Sequence, residues 1–472
     1  MRRLSIILLA LTMSAVACSG GGASGRKVQA DRGDGGSSSP SPTAPGSTAN
    51  PSLTPTAIAT ATKGLPARGN TLPPDLPKNY KPPTGYAIPN LFTAAENTIG
   101  ITSNSITLCM HAPLNLAAVF KVNKDDLNVY WKYVNEQLGG IYGRTVNMYY
   151  ADDKYGATPA DVQTAYASCR TDHGQPPFML FSGFGVDQIP QVRTYADRDH
   201  QLYVHTLARE DFSKKYSFSF MPSVETFGRR AAQWVLHQHL GQKIGIMYRN
   251  SENWEPGHRT FKAELAAHGV TAKPDLPVDK NATVYSTQIK AMKDANVKVA
   301  FLWENALAAI EVIKQADQQD FHPLWLVFPF NLMTDTLDAA TVQPVPAEGI
   351  AAWPAYRPGD TSGTYSSYAN EIKFFESTHH TYSKHPTDDI TWMTWLGWRQ
   401  IHRLLLDCGR DCTRNKIVGL MQANLVKPVL GDCSFDFKAN GHVGGFDVNI
   451  FQAYLKNGNG SWKNLALCKR AF

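Results

Sequence analysis

The sequence predicts an α/β protein of two lobes, each with a mostly parallel sheet flanked by helices. From about residue 99 onward, short apolar segments of strand length alternate with longer segments that carry apolar residues at helical spacing. This alternation is typical of βαβ units. It continues over about 375 residues, more than the roughly 250–300 residues at which a single core stops growing. The folded part therefore divides into two lobes.

The predicted elements follow one another along the chain. In the first predicted helix, for example, apolar residues at 127, 130, 131, 134 and 138 form one helical stripe that ends at Gly139-Gly140. Strands are predicted over 106–110, 146–150, 178–181, 202–205, 244–248, 299–303 and 324–328. Helices are predicted over 126–138, 160–169, 225–239, 257–268, 284–295, 305–317, 364–378, 388–406 and 413–424, followed by strand-like segments.

The N-terminal residues predict export. Residues 1–17 combine Arg2 and Arg3, a short apolar run and the small residues 15–17, as in a secretory signal peptide. Cys18 follows directly and resembles the cysteine of a bacterial lipobox, which implies cleavage before it and a diacylglycerol anchor on its sulfur. Two acyl chains give stable anchoring. The alternative is an ordinary signal peptide beside an incidental Cys18.

Residues 18–95 are predicted to form a disordered tether. The first aromatic residue of the chain is Tyr80, and the segment before it is rich in Gly, Ser, Thr, Ala and Pro. Such a segment buries too little apolar surface to offset the entropy lost on ordering. A lipidated tether would place the folded part at the outer face of the cytoplasmic membrane, in the cell envelope.

The other six cysteines suit an oxidising compartment. Fifteen pairings of six cysteines are possible. Three pairs are favoured. Cys408 and Cys412 can close locally at a helix end, and Cys433 and Cys468 bracket the last predicted strands. Cys109 and Cys169 then remain to form the third pair. No CxxC pair or spaced histidine pair accompanies them, so no metal site is expected.

Composition and motifs argue against two other classes of protein. The formal net charge of +6 includes no run of five Lys or Arg residues, so no nucleic-acid partner is expected. From Tyr80 onward the sequence contains no GxSxG, P-loop, GxGxxG or HExxH motif. We therefore expect neither an enzyme nor a cofactor.

Several motifs resemble the type I periplasmic binding proteins, specifically their leucine/isoleucine/valine-binding branch. Residues 135–144 (NEQLGGIYGR) resemble a glycine-rich turn of that family, and residues 243–261 resemble the first strand, ligand loop and helix of its second lobe. The resemblance implies two doubly wound Rossmann-like lobes joined by a three-stranded hinge, with the ligand between them. It assigns 96–222 and 350–428 to lobe 1, and 223–349 and 431–472 to lobe 2.

The resemblance also implies a function. The protein would be a monomeric extracytoplasmic lipoprotein that captures a small organic ligand, amino-acid-like or an aromatic or amide compound. It would deliver this ligand to the permease and ATPase subunits of an ABC importer. A ligand-sensing surface receptor of the same fold, without a transport role, is the alternative.

The aromatic candidates for ligand contact come from the resemblance. Trp254 and Trp303 fall where the family has aromatic ligand contacts, although both can equally pack inside a lobe. Phe184 lies in the loop after the third strand. Phe330 replaces the acid that grips the amino group in amino-acid binders, which argues against a plain branched-chain amino acid. These residues predict an aromatic-rich cleft.

Three charged residues complete the candidate set. Asp187 occupies the position of a carboxylate-binding Ser in amino-acid binders, or it caps the following helix. Arg209 lies in a second carboxylate loop and can bind a carboxylate with two hydrogen bonds, or form a surface ion pair. Glu304 can accept from an ammonium group, or remain a solvated carboxylate at the end of a strand.

Overall fold

The computed structural model forms two separate sheets, which confirms the predicted α/β class with two lobes. It describes residues 76–77, 79–114, 124–182, 185–206, 209–327, 346–352, 389–428, 433–456 and 459–472. The signal peptide, Cys18, Phe184, Phe330 and the helix predicted over 364–378 lie outside the described residues.

The sheet of lobe 1 has five parallel strands. They are β1 (Ser105–Ala112), β2 (Thr145–Asp152), β3 (Met179–Ser182), β4 (Tyr203–His205) and β5 (Ser217–Ser219), in the order β2-β1-β3-β4-β5. Its helices are α1 (Lys124–Gln137), α2 (Pro159–Thr171) and α3 (Gln188–Arg198). Strands β3, β4 and β5 are buried along their whole length, as expected where both faces of a parallel sheet are covered.

The sheet of lobe 2 has seven strands in the order β12-β11-β10-β9-β8-β6-β7. They are β6 (Ile244–Asn250), β7 (Asp275–Asp279), β8 (Val299–Trp303), β9 (Leu324–Val327), β10 (Ala347–Ala351), β11 (Val448–Lys456) and β12 (Asn459–Lys469). The first five run parallel, and β11 and β12 are antiparallel. The helices between them are α4 (Val224–Gln238), α5 (Glu255–Ala267), α6 (Ser286–Asp294) and α7 (Ala306–Gln318).

The chain passes between the lobes three times, after β5, after β10 and after two further helices, α8 (Asp389–Cys408) and α9 (Arg414–Gln422). Helix α8 packs on lobe 1, where the Trp398 ring lies 5.8 Å from that of Trp131. Two of the crossings contact each other. The amide of Ser219 donates to His442 O at 2.8 Å, and the amide of Gly444 donates back to Ser219 O at 2.8 Å.

The first five strands of both sheets share one order, in which the first strand lies between the second and the third. This is the order of flavodoxin-like doubly wound folds. The connections reverse direction between the first and third strands, and ligands of such sheets bind beyond the carboxyl ends of the strands at that point. The two switch points lie between β1 and β3 in lobe 1, and between β6 and β8 in lobe 2.

Part of the predicted tether, 18–95, needs correction. Residues 79–95, which we call the N-terminal strap, dock on lobe 1. The Tyr80 hydroxyl donates to Asp407, and the guanidinium of Arg403 lies 4.8 Å from the centre of the Tyr80 ring. The strap therefore contains aromatic surface that packs on lobe 1.

A second contact fixes the other end of the strap. Phe92 is 1% exposed, and its backbone amide donates to Asn415 Oδ1 at 2.9 Å. The side-chain amide of Asn415 donates back to Phe92 O at 2.9 Å. The strap therefore becomes part of lobe 1 through residues more than 300 positions away, which local composition does not reveal.

Apart from the helix predicted over 364–378, which lies outside the described residues, every strand and helix predicted by residue range has a counterpart in the structure. Three short strands were missed: β5, β7 and β10. Strand β10 ends at Ala351, so the sheet of lobe 2 extends slightly beyond the boundary expected at 349/350. No helix among the described residues is long and apolar enough to cross a membrane.

Three disulfides form between the six cysteines of the folded part. They are Cys109–Cys169, Cys408–Cys412 and Cys433–Cys468, with Cα atoms 5.6, 5.0 and 5.1 Å apart, the pairs favoured from the sequence. The first joins the central strand β1 to helix α2. The second closes the end of α8, and the third ties the last crossing to the end of β12.

Candidate functional site

Polar side chains from both lobes meet where the two switch points face each other. Asp187 lies just before α3, in the connection that follows β3. Arg249 is near the carboxyl end of β6, and Trp254 directly precedes α5. Glu304 follows β8. The topology therefore brings residues distant in sequence to one place, and we define this set as the interlobe site.

The carboxylate of Asp187 is the centre of the interlobe site. Its Oδ2 lies 3.3 Å from the indole Nε1 of Trp254 and 3.6 Å from the Nε of Arg249. Its Oδ1 accepts from Asn253 Nδ2 at 3.4 Å. Asp187 occupies the N-cap position of α3, but its side chain makes no capping hydrogen bond. The carboxylate is therefore directed to lobe 2.

Trp254 is buried between the lobes, with 2% of its surface exposed. Its indole reaches Asp187 in lobe 1, and its backbone carbonyl accepts from the indole of Trp303 at 2.7 Å. The two rings meet edge to face, with centroids 6.1 Å apart. Trp254 thus packs on its own lobe and also faces the other lobe.

Trp303 supports Trp254 from inside lobe 2. It has no exposed surface, and its ring stacks on Phe301 at 5.1 Å. A Cβ atom at Gly257 would overlap the Trp303 ring and lie 2.9 Å from Val224 O. The helix at this position therefore needs a glycine so that its backbone can approach the indole.

Glu304 is almost fully buried, with 1% exposed. Its Oε2 lies 3.9 Å from Nη1 of Arg249. Burial raises the pKa of Glu304 to about 8, because desolvation outweighs the attraction of Arg249, and the charge of Asp187 raises it further. The carboxyl group is therefore mostly protonated at neutral pH, in contrast to the solvated carboxylate that the sequence left open.

Glu304→Gln is expected to weaken the pH dependence of stability. The pKa of Glu304 is higher in the folded protein than in the unfolded chain. Its contribution to the free energy of unfolding is therefore fully present below about pH 4.5 and is lost as the pH rises through about 8. Glutamine stays uncharged at every pH, as the protonated form of Glu304 is. The thermal midpoint of the wild type should fall more between pH 6 and pH 9 than that of the variant. Glu311→Gln, on the surface of α7, is the control, and parallel curves for Glu304→Gln and wild type would contradict the assignment.

Arg209 forms an ion pair across the lobes. Its Nη1 lies 3.1 Å from Oε1 of Glu252, a side chain that is 87% exposed. Glu252 precedes Asn253 and Trp254 in the loop after β6. Arg209 thus contacts the same loop as Asp187, through an ion pair of the kind predicted as one of its two roles. An exposed pair of this kind stabilises weakly.

A left-handed turn on lobe 1 borders the interlobe site. Lys154, Tyr155 and Gly156 have φ values of 49°, 60° and 67°. Left-handed backbone is unfavourable for residues other than glycine unless its surroundings hold it. Here Asp152 Oδ1 accepts from the Lys154 amide at 3.0 Å, and Asp153 Oδ1 accepts from the Tyr155 amide at 2.9 Å.

The turn directs Tyr155 to the charged groups of the site. Burial raises the pKa of the Tyr155 phenol, Asp187 raises it further, and Arg249 lowers it. These interactions place the phenol within electrostatic reach of both lobes. The hydroxyl remains neutral at physiological pH and can serve as donor or acceptor.

The structure brings four of the predicted contacts together: Asp187, Trp254, Trp303 and Glu304. Sequence reasoning missed Arg249 and Tyr155. Arg249 had a usable signal, because a charged residue directly follows the apolar strand predicted over 244–248. Among the described residues, no group of three or more His, Cys, Asp or Glu side chains is placed to hold a metal ion.

Two doubly wound lobes with polar groups converging between their switch points define a solute-binding class of protein. The chain belongs to the type I periplasmic binding protein family: the family model for periplasmic binding proteins matches residues 117–459. This family consists of substrate-binding proteins of ABC transporters, not of enzymes, and confirms the resemblance seen in the sequence. A search of curated protein sequences finds no match.

Solved structures of the same fold include proteins named for different ligands. A fatty acid ABC transporter substrate-binding protein from Thermomonospora curvata has a TM-score of 0.63 at 16% identity, covering 79% of this chain and 94% of its own. A solute-binding protein from R. palustris in complex with 4-hydroxybenzoate has a TM-score of 0.63 at 14% identity, covering 78% and 97%. A branched-chain amino acid transporter substrate-binding protein from Streptococcus pneumoniae, in complex with isoleucine, has a TM-score of 0.60 at 12% identity, covering 77% and 99%.

Proposed function

We propose that the protein captures a small organic ligand between its lobes and delivers it to an ABC importer, without enzymatic activity of its own. One observation carries this proposal. Asp187 of lobe 1 contacts Arg249, Asn253 and Trp254 of lobe 2. Because each lobe contributes from its switch point, a molecule bound here would touch both lobes and link their closure to its own binding.

The chemistry of the site supports an amino-acid-like or aromatic or amide ligand. An indole, a guanidinium, a carboxylate and a neutral carboxyl group are available within one site. The proposed ligand contacts are Trp254, Glu304 and Arg209, and Phe184 and Phe330 are added from the sequence. Trp303 supports Trp254, and Asp187 adjoins these residues at the centre of the site. The names of the three neighbours mention a fatty acid, 4-hydroxybenzoate and isoleucine, each of which carries a carboxyl group.

The proposal is tested on purified protein whose chain begins at the strap. The small molecules that this protein releases are identified by mass spectrometry. We expect a defined organic compound that rebinds to the emptied protein at one equivalent. Trp254→Ala should lose it, whereas Leu240→Ala, an exposed residue just beyond the end of α4, should retain it. A protein that releases no compound, and binds none from a panel of amino acids and aromatic acids, would refute the function.

We further propose that Cys18 anchors the protein to the membrane through its lipid. Cys18→Ala should release the protein into the medium or leave the signal peptide uncut, since the aromatic-free tether offers no other membrane-binding surface. The measurement is the distribution of protein between membrane and medium fractions, with Ser19→Ala as control. Membrane retention of Cys18→Ala equal to that of the control would show that the anchor lies elsewhere.

A further inference from the structure

Three N–H groups of lobe 2 point at one carboxylate of lobe 1. They belong to Arg249, Asn253 and Trp254, and their nitrogens lie 3.6, 3.4 and 3.3 Å from the oxygens of Asp187. All three groups are donors, one of them charged. A set of donors without acceptors is complementary to an anion, and a guanidinium is well suited to a carboxylate.

The donors are held in place by lobe 2 itself. Arg249 Nη1 donates to the backbone carbonyl of Lys280 at 2.8 Å, and the carbonyl of Trp254 accepts from the buried indole of Trp303 at 2.7 Å. These contacts hold Arg249 and the backbone of Trp254 independently of Asp187. A site whose donors are already oriented loses little conformational entropy when it binds a ligand.

Asp187 does not satisfy all three of these donors. The Nε atom of Arg249 is buried and has no hydrogen-bond acceptor among the described residues, since Asp187 Oδ2 is 3.6 Å away. A buried N–H group without an acceptor is unfavourable. An independent carboxylate, free of the constraints of the α3 backbone, can approach the guanidinium more closely than Asp187 does.

We propose that Arg249, Asn253 and Trp254 form a binding site for the carboxylate of an organic acid, and that Asp187 occupies this site in the absence of ligand. The inference rests on the proposed function and makes the ligand a carboxylate with an apolar or aromatic body beside Trp254. It assigns the anion to lobe 2 and makes Asp187 an internal competitor. Removing Asp187 should therefore strengthen binding, whereas a direct ligand contact would weaken binding when removed.

The neighbouring Glu304 does not cancel the guanidinium charge at neutral pH. Its carboxyl group lies 3.9 Å from Arg249, but its pKa of about 8 keeps it largely protonated. The positive charge is therefore balanced mainly by Asp187, and a ligand carboxylate that displaces Asp187 takes over that balance.

The test compares phenylacetate with its neutral isostere phenylacetamide by isothermal titration calorimetry. The proteins are the wild type, Asp187→Asn, Asp187→Ala, Arg249→Gln and the control Asp172→Asn, a lobe 1 surface carboxylate. We expect both Asp187 variants to bind phenylacetate at least about ten-fold more tightly than the wild type, the scale of one charge-assisted hydrogen bond. Phenylacetamide should show no such gain, Arg249→Gln should abolish phenylacetate binding, and Asp172→Asn should match the wild type.

Two results would overturn the inference. The first is phenylacetate binding that is unchanged or weaker in both Asp187 variants, including no binding to any protein. The second is an equal gain for phenylacetamide. If either occurs while the purified wild type still releases a rebinding compound, the proposed function stands and only the carboxylate site is refuted; if no compound is released either, both fail. Using two Asp187 variants protects the test against a single variant that does not fold.

Discussion

Trp303→Ala is expected to lower the free energy of unfolding by about 3–5 kcal/mol, the usual cost of removing a fully buried tryptophan. The indole has no exposed surface and stacks on Phe301. Its N–H group also satisfies the carbonyl of Trp254 at 2.7 Å. The substitution therefore creates a cavity and removes a buried hydrogen bond, and the two costs act in the same direction.

Urea denaturation monitored by circular dichroism measures this effect. Trp303→Phe keeps most of the ring volume and should lose clearly less stability than Trp303→Ala. Leu240→Ala serves as the control for a residue that is 69% exposed and should change stability by less than about 0.5 kcal/mol. A loss below about 1 kcal/mol for Trp303→Ala would mean that Trp303 does not support the interlobe site from the core.

The sequence predicts the long elements well, because their apolar residues are dense and regularly spaced. The missed strands are short and carry weak signals: Ser217–Ser219 has one apolar residue, and Asp275–Asp279 contains Pro277. Both form as strands because a neighbouring strand pairs with each of them, and a local sequence pattern does not contain that pairing. The same limit applies to the N-terminal strap, whose order depends on Asn415 and Asp407.

The candidate site is predictable only up to the strand ends. Asp187 and Glu304 are candidates because each follows a predicted strand, where ligands of doubly wound folds bind, and Trp254 is a candidate from the family resemblance. What each side chain does depends on the opposite lobe. The contact between Asp187 and Trp254 joins residues 67 positions apart, and no local pattern distinguishes a helix cap from an interlobe contact. The contact of Arg249 with Asp187 also joins the two lobes, and its local signal, a charged residue directly after a strand, does not show that contact.

Removing the Cys109–Cys169 disulfide should cost more stability than removing Cys408–Cys412. In the chain-entropy account, a crosslink destabilises the unfolded state more when it closes a longer loop. The two bonds span sequence separations of 60 and 4 residues, which correspond to about 4 and about 2 kcal/mol respectively. Paired Cys→Ala substitutions are the required variants, because single ones would leave a reactive thiol.

The position of the longer crosslink reinforces this expectation. Cys109 and Cys169 are both 1% exposed and connect the central strand β1 to helix α2, so the closed loop contains α1 and β2 as well. Urea denaturation of the two double variants gives the difference, and thiol labelling of the denatured, unreduced wild type should find no free cysteine in the folded part. Equal losses for the two variants would show that loop closure does not govern the contribution of these bonds. Labelling of any of the six cysteines would show that the pairs themselves are not formed. Because alanine fills nearly the same buried volume at both positions, a larger loss for Cys109–Cys169 would come from the chain that the bond encloses.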